Sequence, residues 1–269
     1  RMLSVDLRTI LPANGRYVFL TGAGISAESG IPTFRGPEGF WSHGSRVYHP
    51  QELATWAAFS RDPQLVWPWY LWRRQRCRES EPNSAHYALV EVEHLLADRF
   101  TLVTQNVDGL HGRAGSSASR TYEIHGNIDY YRCVNDCGPR KAVPDLPHVT
   151  KDGDFHPSWS ESLECSPCRS WMRPHVLWFD ECYDELNYRF QSAMDAISMA
   201  DILVVVGTTG TTTLPAHMLQ VATMRGIPVV DINPTDNPFA RAAMDGPGVW
   251  LQGSATEGMA AFLSALLER

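Results

Sequence analysis

Short apolar stretches recur along the chain, separated by longer segments in which apolar residues follow a helical spacing. Four stretches have the length and residue types of buried strands: residues 16–20, residues 101–104, Ile202–Val206 and Val229–Ile232. Buried strands that alternate with helices are typical of a parallel sheet with helical crossovers on both faces. We therefore predict an α/β fold built on a doubly wound parallel sheet.

Two segments interrupt this alternation. Residues 37–85 are rich in aromatic side chains and are expected to be helical, whereas residues 128–175 carry cysteines among Pro, Gly and Asp. We interpret both segments as insertions that form a second, smaller lobe, one part helical and the other metal-binding. The main domain would then consist of residues 1–36, 86–127 and 176–269.

Composition and charge narrow the class of protein. The 269 residues are 43% hydrophobic and 20% charged, as in an ordinary folded enzyme and unlike a disordered chain. The net charge of −7 gives no electrostatic attraction for nucleic acid or an anionic membrane. Because the apolar runs are far shorter than the ~20 residues of a membrane span, we expect a soluble, cytoplasmic protein. The sequence starts at Arg1, and a targeting segment ahead of it would instead imply an organelle.

Four of the six cysteines form two close pairs, Cys133 with Cys137 and Cys165 with Cys168. Paired thiolates about 30 residues apart are the ligand pattern of a tetrahedral zinc ribbon. Two disulfides or free thiols are the alternatives. Four thiolates would fill the coordination shell of the metal, so we predict a structural zinc ion without a catalytic role.

A glycine-rich turn follows the first predicted strand directly. Gly22, Gly24 and Ala27 fit the G-x-G-x-x-G/A pattern, in which glycines let the backbone approach a pyrophosphate. This motif predicts a Rossmann-like nucleotide site, although the glycines would also suit a tight turn that binds nothing. No second strand ending in an acidic residue follows about 20 residues later, which argues against a hydride-transferring dehydrogenase.

Several longer motifs, in the order in which they occur, closely resemble the sirtuin (Sir2) family of NAD-dependent protein deacylases. They are GAGISAESGIPTFRG at 22–36, TQNVDGLH at 104–111, EIHG at 123–126, the two cysteine pairs, RPHVLWF at 173–179, VGTT at 206–209 and DIN at 231–233. The resemblance covers nearly the whole chain. It implies that NAD is consumed as a co-substrate and that the acyl group of an acylated lysine is transferred to ADP-ribose with release of nicotinamide.

The resemblance also assigns roles to residues. His125 would be the general base, since an imidazole titrates near neutral pH. Phe34 would shield the reactive ribose carbon from water, and Arg35 would face phosphate or ribose. Asn106 and Asp108 would contact nicotinamide and ribose, with helix capping as their alternative. The cofactor contacts implied in all are Gly22, Ala23, Gly24, Phe34, Arg35, Gln105, Asn106, Asp108, Gly207, Thr208, Thr209, Asn233 and Ala255.

Tyr70 and Arg73 lie three residues apart, which places both side chains on one face of a predicted helix. A guanidinium and a phenol so placed can bind a carboxylate together. This pair resembles the sirtuin class that removes succinyl, malonyl and glutaryl groups, and aromatic core packing is the alternative. An acylated peptide would pair with the edge formed by residues 176–178, so we expect Val176, Trp178 and Phe179 to contact substrate.

Three features depart from the family pattern. Thr209 replaces the usual serine, the stretch 207–215 is one residue longer, and Asp180 stands where the family has glycine. If that position requires a positive φ, aspartate is among the residues that tolerate it.

Weaker deacetylation of acetyl-lysine would accompany the preferred activity. ADP-ribosyl transfer or NAD hydrolysis at the same site is a rival function, and a non-catalytic NAD-sensing module is a third. The sequence does not define an oligomeric state, and a monomer is a plausible form.

Overall fold

The computed structural model describes residues 6–31 and 37–269. Its strands are β1 Tyr17–Thr21, β2 Trp41–His43, β3 Arg46–Tyr48, β4 Phe100–Thr104, β5 Thr121–Glu123, β6 Gly126–Cys133, β7 Lys141–Ala142, β8 Met172–Val176, β9 Ile202–Val206, β10 Val229–Ile232 and β11 Val249–Leu251. Its α-helices are α1 Leu7–Ile10, α2 Ala23–Ala27, α3 Pro50–Leu53, α4 Trp56–Arg61, α5 Pro63–Arg78, α6 Ser84–Leu96, α7 Leu110–Ala114, α8 Glu185–Tyr188, α9 Phe190–Met199, α10 Thr213–Arg225, α11 Pro238–Asp245 and α12 Ala255–Leu267.

Six strands form one parallel sheet in the order β11-β10-β9-β1-β4-β5. The chain builds outward from β1 through β4 to β5, then returns to the other side of β1 and continues from β9 to β11. The order therefore reverses between β1 and β9, and in such sheets ligands bind at the carboxyl ends of the strands beside this point. The predicted doubly wound α/β fold is confirmed.

Helices cover both faces of this sheet. On β1, Tyr17 and Phe19 point to one face, where they pack with α6 and α12, and the intervening Val18 and Leu20 point to the other, toward α9, α10 and α11. Successive residues of a strand face opposite ways, and helices cover both faces of the sheet. All the side chains of β1 are therefore buried. The result is a rigid platform whose loops carry the site described below.

Across the described part of the chain, no helix is both long enough and apolar enough to cross a bilayer.

The smaller lobe contains the antiparallel sheet β7-β6-β8 and the helices α3 to α5. Its core is aromatic, with Trp67 and Trp69 of α5 buried together with Trp159 and Trp178. The segment 37–85, expected to be helical, also contains a β-hairpin made of β2 and β3. Gly44 turns this hairpin with a φ of +61°, a conformation that glycine adopts without strain.

Asp180 does not adopt a positive φ, so the conformational reason considered for its presence does not apply. Its carboxylate instead accepts hydrogen bonds from the backbone amides of Trp56 (2.7 Å) and Ala57 (3.0 Å), the first two residues of α4. These amides have no partner within the helix, so a carboxylate there stabilises the helix start. The carboxylate that stands in place of the family's glycine thus attaches the loop around residue 180 to the start of α4.

Candidate active site

A cavity of about 510 Å³ opens at the carboxyl ends of β1, β4, β9 and β10, where the strand order reverses. Its volume lies in the usual range for a small-molecule site. His125 and Arg73 both line it. The predicted cofactor residues that line it are Gly22, Ala23, Gly24, Gln105, Asn106, Asp108, Gly207, Thr208, Thr209, Asn233 and Ala255. Phe34 and Arg35 lie outside the described residues.

The floor of the cavity is the contact between the loops that follow β1 and β9. Gly24 donates its amide to the carbonyl of Gly207 at 2.8 Å, and Gly22 donates to Val206 at 3.0 Å. A Cβ at Gly24 would lie 2.6 Å from Cα of Gly207, and Gly207 itself has a φ of +64°. Side chains at these positions would separate the loops. The glycines therefore let two backbones meet beneath the cavity, which leaves room above them for a pyrophosphate.

Amide side chains connect the loop after β4 to this floor. Gln105 donates to Oγ1 of Thr208 at 2.8 Å and accepts from Oγ1 of Thr212 at 2.9 Å. Asn106 donates to the carbonyl of Gly22 at 3.0 Å. Asn233 reaches the same floor from β10 and donates to the carbonyl of Thr208 at 3.0 Å. The polar wall is thus held in place before any ligand binds.

The carboxylate of Asp108 bonds the start of a helix and also lies on the wall of the cavity. One carboxylate oxygen accepts from the amide of Leu110 at 2.9 Å and so caps α7, while the side chain also lines the cavity. The other oxygen accepts from Oγ of Ser26 at 2.7 Å. Burial raises the pKa of Asp108. Ser26 was overlooked in the sequence, because a serine inside a glycine-rich turn gives no sign that it will meet a carboxylate 82 positions away.

His125 lies in the short turn between β5 and β6, at the boundary between the two lobes. Its Nδ1 is 3.0 Å from the carbonyl oxygen of Gln105, and its Nε2 is 2.9 Å from the hydroxyl of Tyr183. A carbonyl oxygen only accepts, so in the neutral ring the proton lies on Nδ1 and Nε2 carries the lone pair. Tyr183 was not anticipated, since no spacing in the sequence relates it to the histidine motif.

Tyr70 and Arg73 lie together on α5 but occupy different depths. Tyr70 is buried, and its hydroxyl accepts a hydrogen bond of 2.8 Å from the indole Nε1 of Trp178. The guanidinium of Arg73 lies 5.5 Å from the ring centroid of Tyr70 and 4.6 Å from that of Trp69. Arg73 lines the cavity and Tyr70 lies behind it. Burial lowers the pKa of Arg73 and raises that of Tyr70.

The segment proposed to contact a peptide continues from β8. Val176 is buried at the end of that strand, Trp178 is buried against Tyr70, and the side chain of Phe179 is largely exposed. Leu177 donates its amide to the carbonyl of His125 at 2.9 Å. These residues lie outside the cavity lining but are attached directly to the residue that carries the imidazole.

The four paired cysteines converge in the smaller lobe. The sulfur atoms of Cys133, Cys137, Cys165 and Cys168 all lie within 4.8 Å of one another. Cys133 and Cys168 are 3.4 Å apart, which is too long for a disulfide of about 2.05 Å and close to the ~3.8 Å edge of a tetrahedron with Zn–S bonds of about 2.3 Å. All four cysteines are free and not disulfide-bonded in the structure, and the cluster fits a structural zinc ion.

The fold and cavity define a nucleotide-binding enzyme with a cysteine-ligated lobe, and comparison with known proteins specifies the family. Residues 22–213 match the Sir2 family model. NAD-dependent protein deacylases of Leptospira interrogans and Thermus thermophilus are 40% and 41% identical to the chain, over 93% and 96% of its length and 92% and 93% of theirs.

Solved structures agree with this assignment. A Sir2 homologue in complex with NAD has a TM-score of 0.79 and 34% identity, covering 100% of this chain and 95% of its own. A Sir2 homologue mutant bound to 2′-O-acetyl ADP ribose has a TM-score of 0.78 and 36% identity, with 97% and 95% covered. The chain belongs to the Sir2 family.

Proposed function

We propose that the protein is an NAD-dependent protein-lysine deacylase that prefers acyl groups ending in a carboxylate, such as succinyl, malonyl and glutaryl. The deacylase reaction follows from membership of the Sir2 family. The acyl preference is the finer part of the proposal, and one observation carries it: a half-buried guanidinium, that of Arg73, on the wall of the cavity that also holds His125.

NAD supplies a ribose–nicotinamide bond whose cleavage drives the reaction. The residues of the cavity are suited to hold it. The loops at Gly22 and Gly207 bring glycine backbones together at the floor of the cavity, and Asn233 and Ala255 also line it. Asn106 and Asp108 lie on the wall near His125, where amide and carboxylate groups would orient a ribose.

His125 would act as the general base through Nε2. Its Nδ1 proton is directed to the carbonyl of Gln105, which fixes the tautomer and keeps the basic nitrogen on the opposite side of the ring. In this orientation Nε2 would accept a proton from a ribose hydroxyl. The peptide would lie along residues 176–179, whose first amide beyond β8 is already bonded to the backbone of His125.

Arg73 would recognise the acyl carboxylate. A half-buried cation has lost part of its hydration, and an incoming carboxylate replaces that hydration with charge-assisted hydrogen bonds. Tyr70 would assist, because its hydroxyl lies beside Arg73 and is held there by Trp178. An acetyl group offers neither charge nor oxygen at its end, so it leaves the guanidinium without this compensation.

Replacing Arg73 tests this preference. We expect Arg73→Met to lower kcat/KM for a succinyl-lysine peptide by at least about tenfold and to leave that for the matched acetyl-lysine peptide within about threefold, since a charged hydrogen bond contributes about 1.5–3 kcal/mol. Arg73→Lys should give an intermediate kcat/KM for the succinyl-lysine peptide, because lysine keeps the positive charge but cannot bind a carboxylate through two parallel hydrogen bonds. The measurement is the ratio of the two kcat/KM values.

Arg76→Met is the matched control, because Arg76 is an exposed arginine on the same helix that pairs with Glu79 at 2.7 Å. It should leave the ratio unchanged. Tyr70→Phe complements Arg73→Met but removes the acceptor of a buried indole, so its melting temperature must be measured first. An unchanged succinyl-to-acetyl ratio in a folded Arg73→Met enzyme would reduce this pair to core packing.

A further inference from the structure

The hydroxyl of Tyr183 lies 2.9 Å from Nε2 of His125, the nitrogen that carries the lone pair. The backbone amide of Leu214, in the first turn of α10, faces this same hydroxyl and opposes the rise of its pKa. Because the ring proton on Nδ1 is directed at the carbonyl of Gln105, Nε2 accepts, and the phenol donates its proton to it. Burial raises the pKa of Tyr183 to about 12, so the phenol keeps this proton at neutral pH.

Both ring nitrogens of His125 are hydrogen-bonded, and each bonding partner, Gln105 or Tyr183, is itself next to the start of α10. On one side, Gln105 accepts from Nδ1, and its side chain accepts from Thr212. On the other side, Tyr183 bonds Nε2, and the amide of Leu214 faces its hydroxyl. The ring of Tyr183 is also packed against Phe190, with the centroids 5.9 Å apart. The bond between Tyr183 and His125 is therefore a supported contact and not a chance approach of two surface groups.

A ring nitrogen has a single lone pair. While Tyr183 donates to Nε2, no ribose hydroxyl or water molecule can give a proton to it. The bond therefore places His125 in the orientation of a base and at the same time blocks its basic atom.

Tyr183 lies on the loop that continues from the proposed peptide edge. Within this loop, Leu177 donates to the backbone of His125, and Phe179 donates to the carbonyl of Ala54 at 3.0 Å. Glu181 accepts from the amide of Trp178 at 2.9 Å and pairs with Arg173. These bonds connect residues 176–181 into one unit, so a peptide that pairs with its edge acts on the segment that ends at Tyr183.

We propose that Tyr183 is a positioning residue that masks Nε2 of His125 in the free enzyme and releases it when an acylated peptide pairs with residues 176–179. The inference rests on the proposed role of His125. It makes the availability of the base depend on the peptide, and it thereby protects NAD from hydrolysis when no peptide is bound.

The reaction that is suppressed is simple. A water oxygen bonds to the ribose carbon that carries nicotinamide, and the carbon–nitrogen bond breaks with its electron pair going to the nicotinamide ring. The water proton goes to Nε2 of His125. This step needs an accessible lone pair on Nε2, which the phenol withholds.

Tyr183→Phe removes the hydroxyl and keeps the ring. We expect nicotinamide release without peptide to rise at least about threefold relative to the peptide-driven rate, as loss of one hydrogen bond permits. Tyr188→Phe is the matched control, because it also removes a buried phenol hydroxyl on this part of the chain but stacks on His175 and not on His125. It should keep the wild-type ratio. An unchanged ratio in a folded Tyr183→Phe enzyme, or a parallel fall of both rates, would overturn the proposal.

A second measurement uses the unaltered enzyme and needs no turnover. With ¹⁵N-labelled histidine, the Nε2 resonance of His125 should move toward the value of an unbonded lone pair when a saturating acyl-lysine peptide is added without NAD. A resonance that stays in place would also overturn the proposal. Because the spectrum does not depend on catalysis, an enzyme that fails to deacylate any peptide would refute the proposed function and still leave the contact measurable.

Discussion

Asp231 is a fully buried carboxyl group at the end of β10. One of its oxygens accepts from the side-chain amide of Asn237 at 2.8 Å, and the other has no hydrogen-bond partner among the described residues. Burial raises the pKa of Asp231 to about 7, and the bond from Asn237 opposes this shift. The folded state therefore holds a proton that the unfolded chain releases near pH 4.

A raised pKa has a definite consequence for stability. Between pH 4 and 7 the folded protein binds more protons than the unfolded chain, so the contribution of Asp231 to stability is greatest at low pH and is lost as the pH rises through 7. We expect Asp231→Asn, which carries no charge to bury, to raise Tm at pH 8 by about 3 °C relative to the wild type, with a smaller gain at pH 5.

The control is Asp236→Asn, a neighbouring exposed carboxylate whose pKa is lowered by Arg241. It is ionised at both pH values, so its effect on Tm should be the same at both. Equal effects of Asp231→Asn at pH 5 and pH 8 would contradict the account of Asp231.

Single residues were predictable where a local motif carried the chemistry. The glycine-rich turn and the cysteine pairs were found from short spacings, and the resemblance to the sirtuin family pointed to Asn106, Asp108 and His125. Ser26 and Tyr183 were not, because their importance arises from partners distant in sequence that only the fold brings together. Asp180 was noticed as a departure, but its role as a cap for α4 required the position of that helix.

At the scale of elements, the cysteine cluster organises the smaller lobe. Cys133 ends β6, and Cys165 and Cys168 lie just before β8, so a metal bound by all of them would join the two strands beside their pairing. Cys165 is buried and Cys137 is exposed. Because a closed thiolate site contributes its binding free energy to folding, we expect it to stabilise this lobe.

Cys165→Ser tests that contribution. The purified variant should lose the single zinc ion per chain that we expect in the wild type, and its Tm should fall by about 5 °C or more, since structural zinc supplies several kcal/mol. Cys182→Ser, which alters an exposed cysteine outside the cluster, should change neither value. Full zinc content and an unchanged Tm in Cys165→Ser would show that the cluster has another purpose.

The hairpin of β2 and β3 is one of the elements that the sequence pattern did not predict. Its strands have three residues each, too few to show an alternating pattern. The pair Gly44-Ser45 between them is a known two-residue hairpin signal. The aromatic residues around it are also typical of a helix packed against a core, and that interpretation was preferred.

At the scale of the whole molecule, the parallel sheet was predictable because its strands are buried on both faces and read as continuous apolar runs. The strand order was not, since five-residue strands of similar composition do not specify their neighbours. The order determines where the chain reverses, and the reversal beside β1 brings residues from positions 22 to 255 to one cavity. The sequence motifs identify these residues as candidates, but their proximity follows only from the strand order.

We expect this cavity to transfer acyl groups from lysine to ADP-ribose and to prefer acyl groups that end in a carboxylate. Mass spectrometry of matched succinyl-lysine and acetyl-lysine peptides, with and without NAD, tests it most directly because it follows peptide and nucleotide products together. We expect NAD-dependent loss of succinyl at a rate well above that of acetyl, with succinyl-ADP-ribose and nicotinamide formed in equal amounts. Nicotinamide release with both peptides unchanged would contradict it.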